Sequence, residues 1–325
     1  MIEEILPNLF KIEIPLPGSP LKSINSYVIE GTERDLIVDT GMNREECLKA
    51  MQAGLTELGI DLRKTDFFIT HMHADHLGLV LNLVADGAKI YFNKRDADGI
   101  EFFDRHPDKF MHFARRNGFP ENELQMLFYN HPGYKYRSRG DFPFTFLRED
   151  DRISVGNYFF RCVETPGHTK GHMCLYEPKK KIFVAGDHLL NDITPNIQLW
   201  SDDGDPLKDY LASLDKVYEF EIELVLPGHR STFRNCKERI QELKDHHRER
   251  LEEIISILEK GRKNAFQVAS QMSWDITYDS WDLFPMTQKW FAIGEAISHL
   301  KYLEGKKRIK KEMESGKLFF STQGK

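Results

Sequence analysis

The stretch that decides the fold and the chemistry of this chain is Thr70-His71-Met72-His73-Ala74-Asp75-His76. It follows the apolar run 67–69, which is typical of a buried strand. Three histidines and one aspartate lie within six residues here, and imidazole and carboxylate groups suit zinc and related divalent metals. Because so many titratable side chains have no purpose in core packing, the stretch predicts a metal site at a strand end.

Three single candidate ligands follow other apolar runs in the same way. His168 and His229 each follow a Pro-Gly pair, and Asp187 follows a glycine. Small residues before a ligand let the backbone turn tightly. Seven candidates exceed what one tetrahedral zinc takes, but they suffice for two ions if a carboxylate bridges them and water fills the open positions. The candidate metal ligands are His71, His73, Asp75, His76, His168, Asp187 and His229.

These motifs resemble those of the metallo-β-lactamase superfamily of hydrolases over roughly residues 5–235. The family's H-x-H-x-D-H motif is present at 71–76, and the later ligands occur in the family's order. The resemblance implies an α/β fold, the αββα sandwich, with the site at one edge between the two sheets. The implied ligand sets are His71, His73 and His168 for one metal, Asp75, His76 and His229 for the other, and Asp187 as the bridge.

Two further positions bear on the site. Val38-Asp39-Thr40-Gly41 also matches the family, in which this aspartate lies beneath the metals. A buried carboxylate at Asp39 can accept a hydrogen bond from the second nitrogen of a ligand histidine and so fix its tautomer. The alternative is a simple turn aspartate. His73 stands where the family's redox di-iron branch has a carboxylate, which disfavours electron transfer.

Length and composition bound the class of protein. The chain has 325 residues, a formal net charge of -6 and 40% hydrophobic residues, which fits a large α/β domain or a catalytic domain with an appendage. No run approaches the ~20 apolar residues of a membrane span, and the acidic N-terminus is unlike a signal peptide. Scattered cysteines favour a reduced, cytoplasmic protein. They are Cys47, Cys162, Cys174 and Cys236.

Short apolar runs bounded by Gly, Pro, Asp or Asn predict strands. They are 27–29, 36–38, 67–69, 90–92, 158–163, 174–176, 182–185 and 224–226. Between two of these runs, Asn43 is the expected N-cap of a helix that continues to residue 58. This alternation favours a layered α/β architecture.

Residues 93–150 form an insertion rich in aromatic residues and without a clear strand. We expect it to be partly helical and to supply the apolar wall of the metal cleft. The alternative is a packed helical excursion that makes no contact with substrate. Some of its aromatic residues should pack against the body and some should face substrate; those singled out are Phe102, Phe103, Phe110, Phe113 and Tyr129.

Residues 236–325 form a second predicted domain, after a catalytic domain at 1–235. Apolar spacing predicts helices near 240–258, 265–272 and 287–303, followed by two short strands. Three helices and a β-ribbon are typical of a winged helix, and the arrangement resembles the branch that includes the mitochondrial β-lactamase-like endoribonuclease. From residue 237 onwards, 17 basic and 14 acidic residues give a net charge of +3. The abundant aromatics favour a homodimer or packing within the chain.

The expected function is hydrolysis at a binuclear metal centre with a bridging hydroxide. Zinc is the expected ion, although iron and manganese tolerate the same ligands, and Asp75 is expected to assist proton movement. The acidic catalytic part and the aromatic insertion favour a thioester, ester or lactone of a small molecule. The alternative is a phosphodiesterase or endoribonuclease whose winged helix contacts nucleic acid. A non-catalytic binding or dimerisation scaffold is the alternative of another class.

Overall fold

The computed structural model describes residues 1–124, 131–275, 278 and 280–323. The strands of its first β-sheet are β1 (Ile2–Leu6), β2 (Leu9–Pro15), β3 (Ser23–Ile29), β4 (Asp35–Val38), β5 (Thr65–Phe68), β6 (Ile90–Asn93) and β7 (Phe144–Leu147), in this order across the sheet. The pairs from β1 to β4 are antiparallel, and those from β4 to β7 are parallel. The segments that follow β4, β5 and β6 therefore meet at one edge.

The second β-sheet has five strands. They are β8 (Arg152–Val155), β9 (Tyr158–Glu164), β10 (Met173–Glu177), β11 (Ile182–Gly186) and β12 (Leu224–Pro227). Neighbours from β8 to β11 pair antiparallel, and β12 lies parallel to β11 at the other side of the sheet. Because β9, β11 and β12 run in one direction, their carboxyl ends also share an edge.

The helices lie outside the two sheets. They are α1 (Glu45–Leu58), α2 (Ala74–Leu77), α3 (Val80–Leu83), α4 (Lys94–Arg105), α5 (Pro107–Arg116), α6 (Pro132–Lys135), α7 (Pro206–Tyr218), α8 (Cys236–Glu259), α9 (Ala265–Ala269) and α10 (Met286–Gly305). Short 3₁₀ turns occupy Leu62–Lys64 and Trp281–Leu283. Across the described ranges, no helix is both long and apolar enough to cross a membrane.

Buried clusters arrange these elements in four layers. Between the sheets, Phe68 of the first packs with Phe160 of the second. Met51 of α1 packs with Phe67 on the outer face of the first sheet, and Leu214 of α7 lies in the cluster on the outer face of the second. Full burial of such a side chain contributes about 1.5–3 kcal/mol, so the sandwich gives the loops at its edge a rigid base. The predicted α/β class is confirmed.

Helix α1 begins later than its sequence indicates. Arg44 occupies the N-cap position and makes no side-chain capping bond, so the prediction of Asn43 as N-cap is wrong. The backbone N–H of Asn43 donates to the Tyr136 carbonyl at 3.0 Å. That contact assigns Asn43 to a loop that meets the insertion, and the helix starts after it.

The insertion contains a strand that the sequence analysis missed. Residues 144–147 form β7 and pair in parallel with β6, so the prediction of an insertion without a strand up to residue 150 is wrong. Phe142, Phe144 and Phe146 recur in steps of two, the period of a strand, and the Phe144 ring stacks on Phe92 of β6 with centroids 4.5 Å apart. The predicted helical character holds for α4, α5 and α6, while Tyr129 lies outside the described residues.

The C-terminal region has three helices and an antiparallel pair, β13 (Ile309–Glu314) and β14 (Lys317–Thr322), in the predicted order. Ile240 of α8 and Ile297 of α10 share one hydrophobic cluster with Phe183 of the second sheet. The ring of Trp290 on α10 stacks on Trp200 with centroids 3.6 Å apart. The region thus packs on the sandwich over a continuous apolar surface, and its assignment as a winged helix stays a prediction.

Candidate metal centre

All the candidate ligands follow strands that end at the same edge of the sandwich. The motif at 71–76 follows β5 of the first sheet, and His168, Asp187 and His229 follow β9, β11 and β12 of the second. A backbone hydrogen bond joins the two sheets at this edge, where Met173 N donates to Thr70 O at 2.9 Å. Ligands that are far apart in sequence therefore meet in one place.

The ligand atoms form three overlapping groups, within each of which they lie within 4.8 Å of one another. The groups are His71, His73 and His168; His71, His76 and Asp187; and Asp75, His76 and His229. His73 Nδ1 lies 3.0 Å from His71 Nε2 and 2.9 Å from His168 Nε2. The first group has the same members as the ligand set that the family resemblance implies for one metal. The third group has the same members as the set implied for the other metal.

Asp187 lies between these two groups. Its Oδ2 atom is 3.5 Å from His168 Nε2 and 3.6 Å from His229 Nε2, and its Oδ1 atom is 3.5 Å from His76 Nε2. A carboxylate that reaches histidines of both groups has the arrangement of a bridge between two ions.

The buried polar atoms at this point fit divalent cations. His76 Nε2, Asp187 Oδ1 and His229 Nε2 are buried without a hydrogen-bond partner in the part of the chain that the structure describes. Leaving such an atom unsatisfied costs about 1–3 kcal/mol, and a cation that accepts their lone pairs would remove that cost. Histidine nitrogens with carboxylate oxygens are the donor set of zinc and of related metals.

The protonation states also suit a cation. Burial lowers the pKa of His71 well below its usual value and that of His73 to about 3. Both rings are therefore neutral, which is the form that binds metal. Burial alone would raise the pKa of Asp187, but His229 and His76 hold it well below the usual range. The centre thus presents two neutral imidazoles beside an ionised carboxylate. Against the effect of burial, Asp39 raises the pKa of His76 and Asp187 raises the pKa of His229, so these two rings give up a proton when a metal binds.

Asp39 lies beneath His76, as the family resemblance implies. Its side chain is 2% exposed, and its Oδ2 atom lies 2.7 Å from His76 Nδ1. The other oxygen accepts a hydrogen bond from Thr70 N at 2.8 Å. A proton on Nδ1 leaves the Nε2 lone pair of His76 directed toward Asp187.

Two other histidines are oriented by backbone carbonyls. His168 Nδ1 donates to Asn196 O at 2.9 Å, and His229 Nδ1 donates to Ser23 O at 2.7 Å. These bonds fix the tautomer in which Nε2 carries a lone pair. The fold therefore prepares these rings to bind metal through the same nitrogen.

Known proteins resemble this chain in sequence and in fold. The sequence model of the metallo-β-lactamase superfamily matches residues 20–229. The chain belongs to this superfamily. The probable metallo-hydrolase YqjP of Bacillus subtilis (strain 168) is 26% identical over 329 residues, which is 97% of this chain and 98% of the relative. The acyl-coenzyme A thioesterase MBLAC2 of Homo sapiens is 24% identical over 233 residues, which is 64% of this chain and 74% of the relative.

A crystal structure has the same architecture over its whole length. A metallo-β-lactamase family protein from Thermus thermophilus superposes with a TM-score of 0.83 and 26% identity, covering 98% of this chain and 100% of that protein. With the superfamily established and hydrolases among the relatives, the chain is a metallo-hydrolase. The predicted enzyme is confirmed, and the alternative of a non-catalytic scaffold is set aside.

His172 supports Asp187 in this metallo-β-lactamase site. Its Nδ1 atom lies 2.8 Å from Thr165 Oγ1, and its Nε2 atom accepts a hydrogen bond from the Asp187 backbone at 3.1 Å. His188 has a different environment, since neither of its buried nitrogens has a hydrogen-bond partner among the described residues and its ring packs on Tyr210. Of these two histidines, His172 is the one that fixes Asp187.

The sequence alone did not point to three residues around the metallo-β-lactamase site. The Asp96 carboxylate accepts hydrogen bonds from two ligand-bearing loops. Glu295 Oε2 accepts from Asn196 Nδ2 at 2.8 Å, which links α10 to the residue that holds His168. Asp96 lies in the first turn of a helix, where an aspartate is ordinarily explained by its favourable interaction with the helix dipole. Its position in the sequence therefore gave only a weak indication of a role at the site. The sequence around Asn196 and Glu295 gave no such indication.

Replacing Gly228 with alanine is expected to disturb the metallo-β-lactamase site directly. A Cβ atom there would lie 2.6 Å from Asp187 Oδ1 and 2.8 Å from His76 Cε1, so both side chains must move. A displacement of about 1 Å can cost about 100-fold in rate, and we expect a loss of that order in steady-state turnover. Gly305→Ala is the control, because its nearest neighbour would be 3.7 Å away. Unchanged turnover in Gly228→Ala would contradict the geometry.

Proposed function

We propose that this metallo-hydrolase is a binuclear zinc enzyme that hydrolyses acyl thioesters of small molecules. The observation that carries the proposal is the position of Asp187 within 3.6 Å of histidines from both ligand groups. The similarity to an acyl-coenzyme A thioesterase supports the thioester as the bond that is cleaved.

When bound, two divalent ions would lower the pKa of a water molecule toward neutrality and polarise the scissile carbonyl. The side chain of Asp75 is 13% exposed and that of Asp187 is 9% exposed, so both carboxylates are largely buried and Asp75 is slightly more accessible. We assign to Asp75 the acceptance of a proton from the attacking water, besides metal binding. Water adds to the acyl carbon, the carbon–sulfur bond breaks, and the thiol leaves with a proton.

The insertion supports a substrate cleft beside these ligands. Helix α6 packs against α2, which carries Asp75 and His76, and a Cβ atom on Gly99 of α4 would lie 3.2 Å from Met72 Sδ. Phe113 and Phe119 do not line this cleft, because they are buried in the cluster with the C-terminal helices. The proposed wall therefore contains fewer of the insertion's aromatic residues than the composition of the insertion suggested.

His131, directly before α6, is the polar group that we assign to this wall. Its Nδ1 atom accepts a hydrogen bond from Gly133 N at 3.1 Å, which places the ring proton on Nε2. That buried Nε2 atom has no hydrogen-bond partner among the described residues. We assign to it a hydrogen bond to a substrate oxygen, and the electrostatic effect of Asp75 on the pKa of His131 supports a position near the candidate ligands.

His131→Ala is expected to raise KM for acyl thioesters about tenfold, because a lost hydrogen bond is worth about 1–1.5 kcal/mol. Metal content, measured by elemental analysis, should stay unchanged. His112→Ala is the control, since His112 is exposed on the same insertion. Identical kinetics of His131→Ala and the parent enzyme across short and long acyl chains would exclude His131 from the cleft.

Surface charges favour a small-molecule substrate over nucleic acid. On the C-terminal region, Arg308 pairs with Glu252, and Lys311 pairs with Glu304. Polyanion binding needs clustered cations that are free to contact phosphates. Part of the basic surface that motivated the nuclease alternative is therefore already neutralised within the chain.

A substrate panel tests the proposed function. Purified, zinc-loaded protein would be assayed against acyl-coenzyme A thioesters, lactones, aryl esters, a phosphodiester and RNA. Released thiol would be followed colorimetrically for the thioesters, and the hydrolysis products of the other classes would be quantified by chromatography. We expect kcat/KM for a thioester to exceed that for the other classes by at least about 100-fold, or about 3 kcal/mol of transition-state binding. Chelation should abolish the activity, and zinc should restore it. Preferential cleavage of RNA or of the phosphodiester would overturn the proposal.

A further inference from the structure

Asp96 has an unusual place for a charged side chain. It lies in the first turn of α4, directly after β6, and is 0% exposed. Its Oδ2 atom accepts hydrogen bonds from Met72 N at 2.9 Å and from Thr169 Oγ1 at 2.7 Å, and its Oδ1 atom accepts from Gly171 N at 2.6 Å. Burying a carboxylate is costly unless hydrogen bonds compensate it, and here three donors do so.

The three donors lie beside ligands of one half of the metal centre. Met72 is flanked by His71 and His73, and Thr169 directly follows His168. The first loop leaves the first sheet after β5, and the second joins β9 to β10 in the second sheet. One carboxylate therefore spans the two loops that carry His71, His73 and His168.

The helix does not need this carboxylate for its own stability. Asn93 already caps α4, because its side chain accepts a hydrogen bond from Arg95 N at 2.9 Å. The loops also approach Asp96 closely, since a Cβ atom on Gly171 would lie 2.6 Å from Asp96 N and 2.9 Å from Asp96 Oδ1. The Asp96 side chain therefore holds the two loops and does not cap the helix.

We infer that Asp96 is a positioning residue that holds His168 in register with His71 and His73. The inference rests on the proposed binuclear function. The other half of the centre, with Asp75, His76 and His229, is supported instead by Asp39 and by the Ser23 carbonyl. Loss of Asp96 should therefore weaken one ion site selectively and leave the other intact.

Asp96→Asn is the test. An amide has the shape of the carboxylate, but its NH₂ group faces the N–H of Gly171 in one orientation and the N–H of Met72 in the other. Outer partners of metal ligands are worth about 10–100-fold in metal affinity, so we expect one of the two zinc ions to bind about 10–100-fold more weakly. Stepwise zinc affinities would be measured by competition with a chelator, and kcat should fall more than KM rises.

Asp98→Asn is the matched control. Asp98 lies on the same helix, is exposed and pairs with Lys94, so its variant should keep both zinc affinities. Thr169→Val is the second variant for the case in which Asp96→Asn does not fold. It removes a single hydrogen bond to Asp96, and we expect a smaller loss of affinity at the same ion site.

The outcomes separate the inference from the proposed function. Two unchanged zinc affinities in Asp96→Asn, or in Thr169→Val if the first variant is unfolded, would overturn the inference. An equal loss of both ions with a lowered Tm would also overturn it, because it would make Asp96 a general folding residue. If the parent protein binds two ions but cleaves no thioester, the thioesterase proposal fails while the affinity test still decides on Asp96. A parent protein that binds a single ion would overturn both.

Discussion

Asp187→Ala is expected to lower turnover about 1,000-fold and to release metal from both halves of the centre. The Asp187 carboxylate lies within 3.6 Å of His168, His76 and His229, so its removal takes a ligand from each proposed ion at once. Charge stabilisation by such ions is worth several kcal/mol in the transition state, and about 4 kcal/mol corresponds to about 1,000-fold in rate.

Elemental analysis after dialysis, together with single-turnover kinetics, would measure both effects of Asp187→Ala. His168→Ala and His229→Ala are the informative comparisons, because each should lose one ion and retain the other. Asp203→Ala is the neutral control, since Asp203 is an exposed residue of a neighbouring loop. An Asp187→Ala protein with two ions and normal turnover would show that Asp187 is not the bridge.

Asp39→Asn is expected to fold and yet to lose the ion held by His76. Asp39 has a φ of 57°, a left-handed conformation that asparagine tolerates well. The amide oxygen of the variant must accept the Thr70 N–H, so its NH₂ group faces His76 Nδ1. His76 would then carry its proton on Nε2, the nitrogen that points to Asp187, and a protonated nitrogen cannot bind metal.

The tautomer of His76 can be read without metal or substrate at a pH above the pKa of this ring, which Asp39 and Asp187 raise well above its usual value despite burial. Proton–nitrogen correlation spectra of the histidine rings should show an Nδ1–H form in the parent protein and an Nε2–H form in Asp39→Asn. Zinc content should fall by about one ion per chain. Asp35→Asn is the control. Asp35 lies at the other end of β4, away from the metal centre, and accepts a hydrogen bond from Gly31 N. An unchanged His76 tautomer in Asp39→Asn would refute this explanation.

The sequence indicated the candidate ligands that the structure brings together, because they stand in short local motifs. His71, His73 and His76 follow one strand, and each of the later ligands stands directly after a strand and a small turn residue. The apolar runs predicted eight strands, all of which the structure contains. Features that depend on residues close together in the chain, such as these strands and the candidate ligands that follow them, could therefore be predicted from the sequence.

The supporting residues depend on tertiary contacts, and their local sequence does not reveal them. Asp96 resembles any acidic residue in the first turn of a helix, and its three donors come from loops that only the folded sandwich brings close. Glu295 reads as a polar residue on the amphipathic helix α10, although it is buried and bonded to Asn196. Strand β7 was missed for a different reason, since its alternating phenylalanines were attributed to an aromatic insertion.

The stack of Trp200 on Trp290 gives the enzyme a built-in optical signal. Two indole rings with centroids 3.6 Å apart and planes within 10° should couple electronically and produce a split band in circular dichroism. Trp200 lies in the same loop as Asn196, whose carbonyl holds His168, while Trp290 belongs to α10. The band would therefore report, without any label, when the C-terminal helix detaches from the loop behind a metal ligand during heating or denaturation.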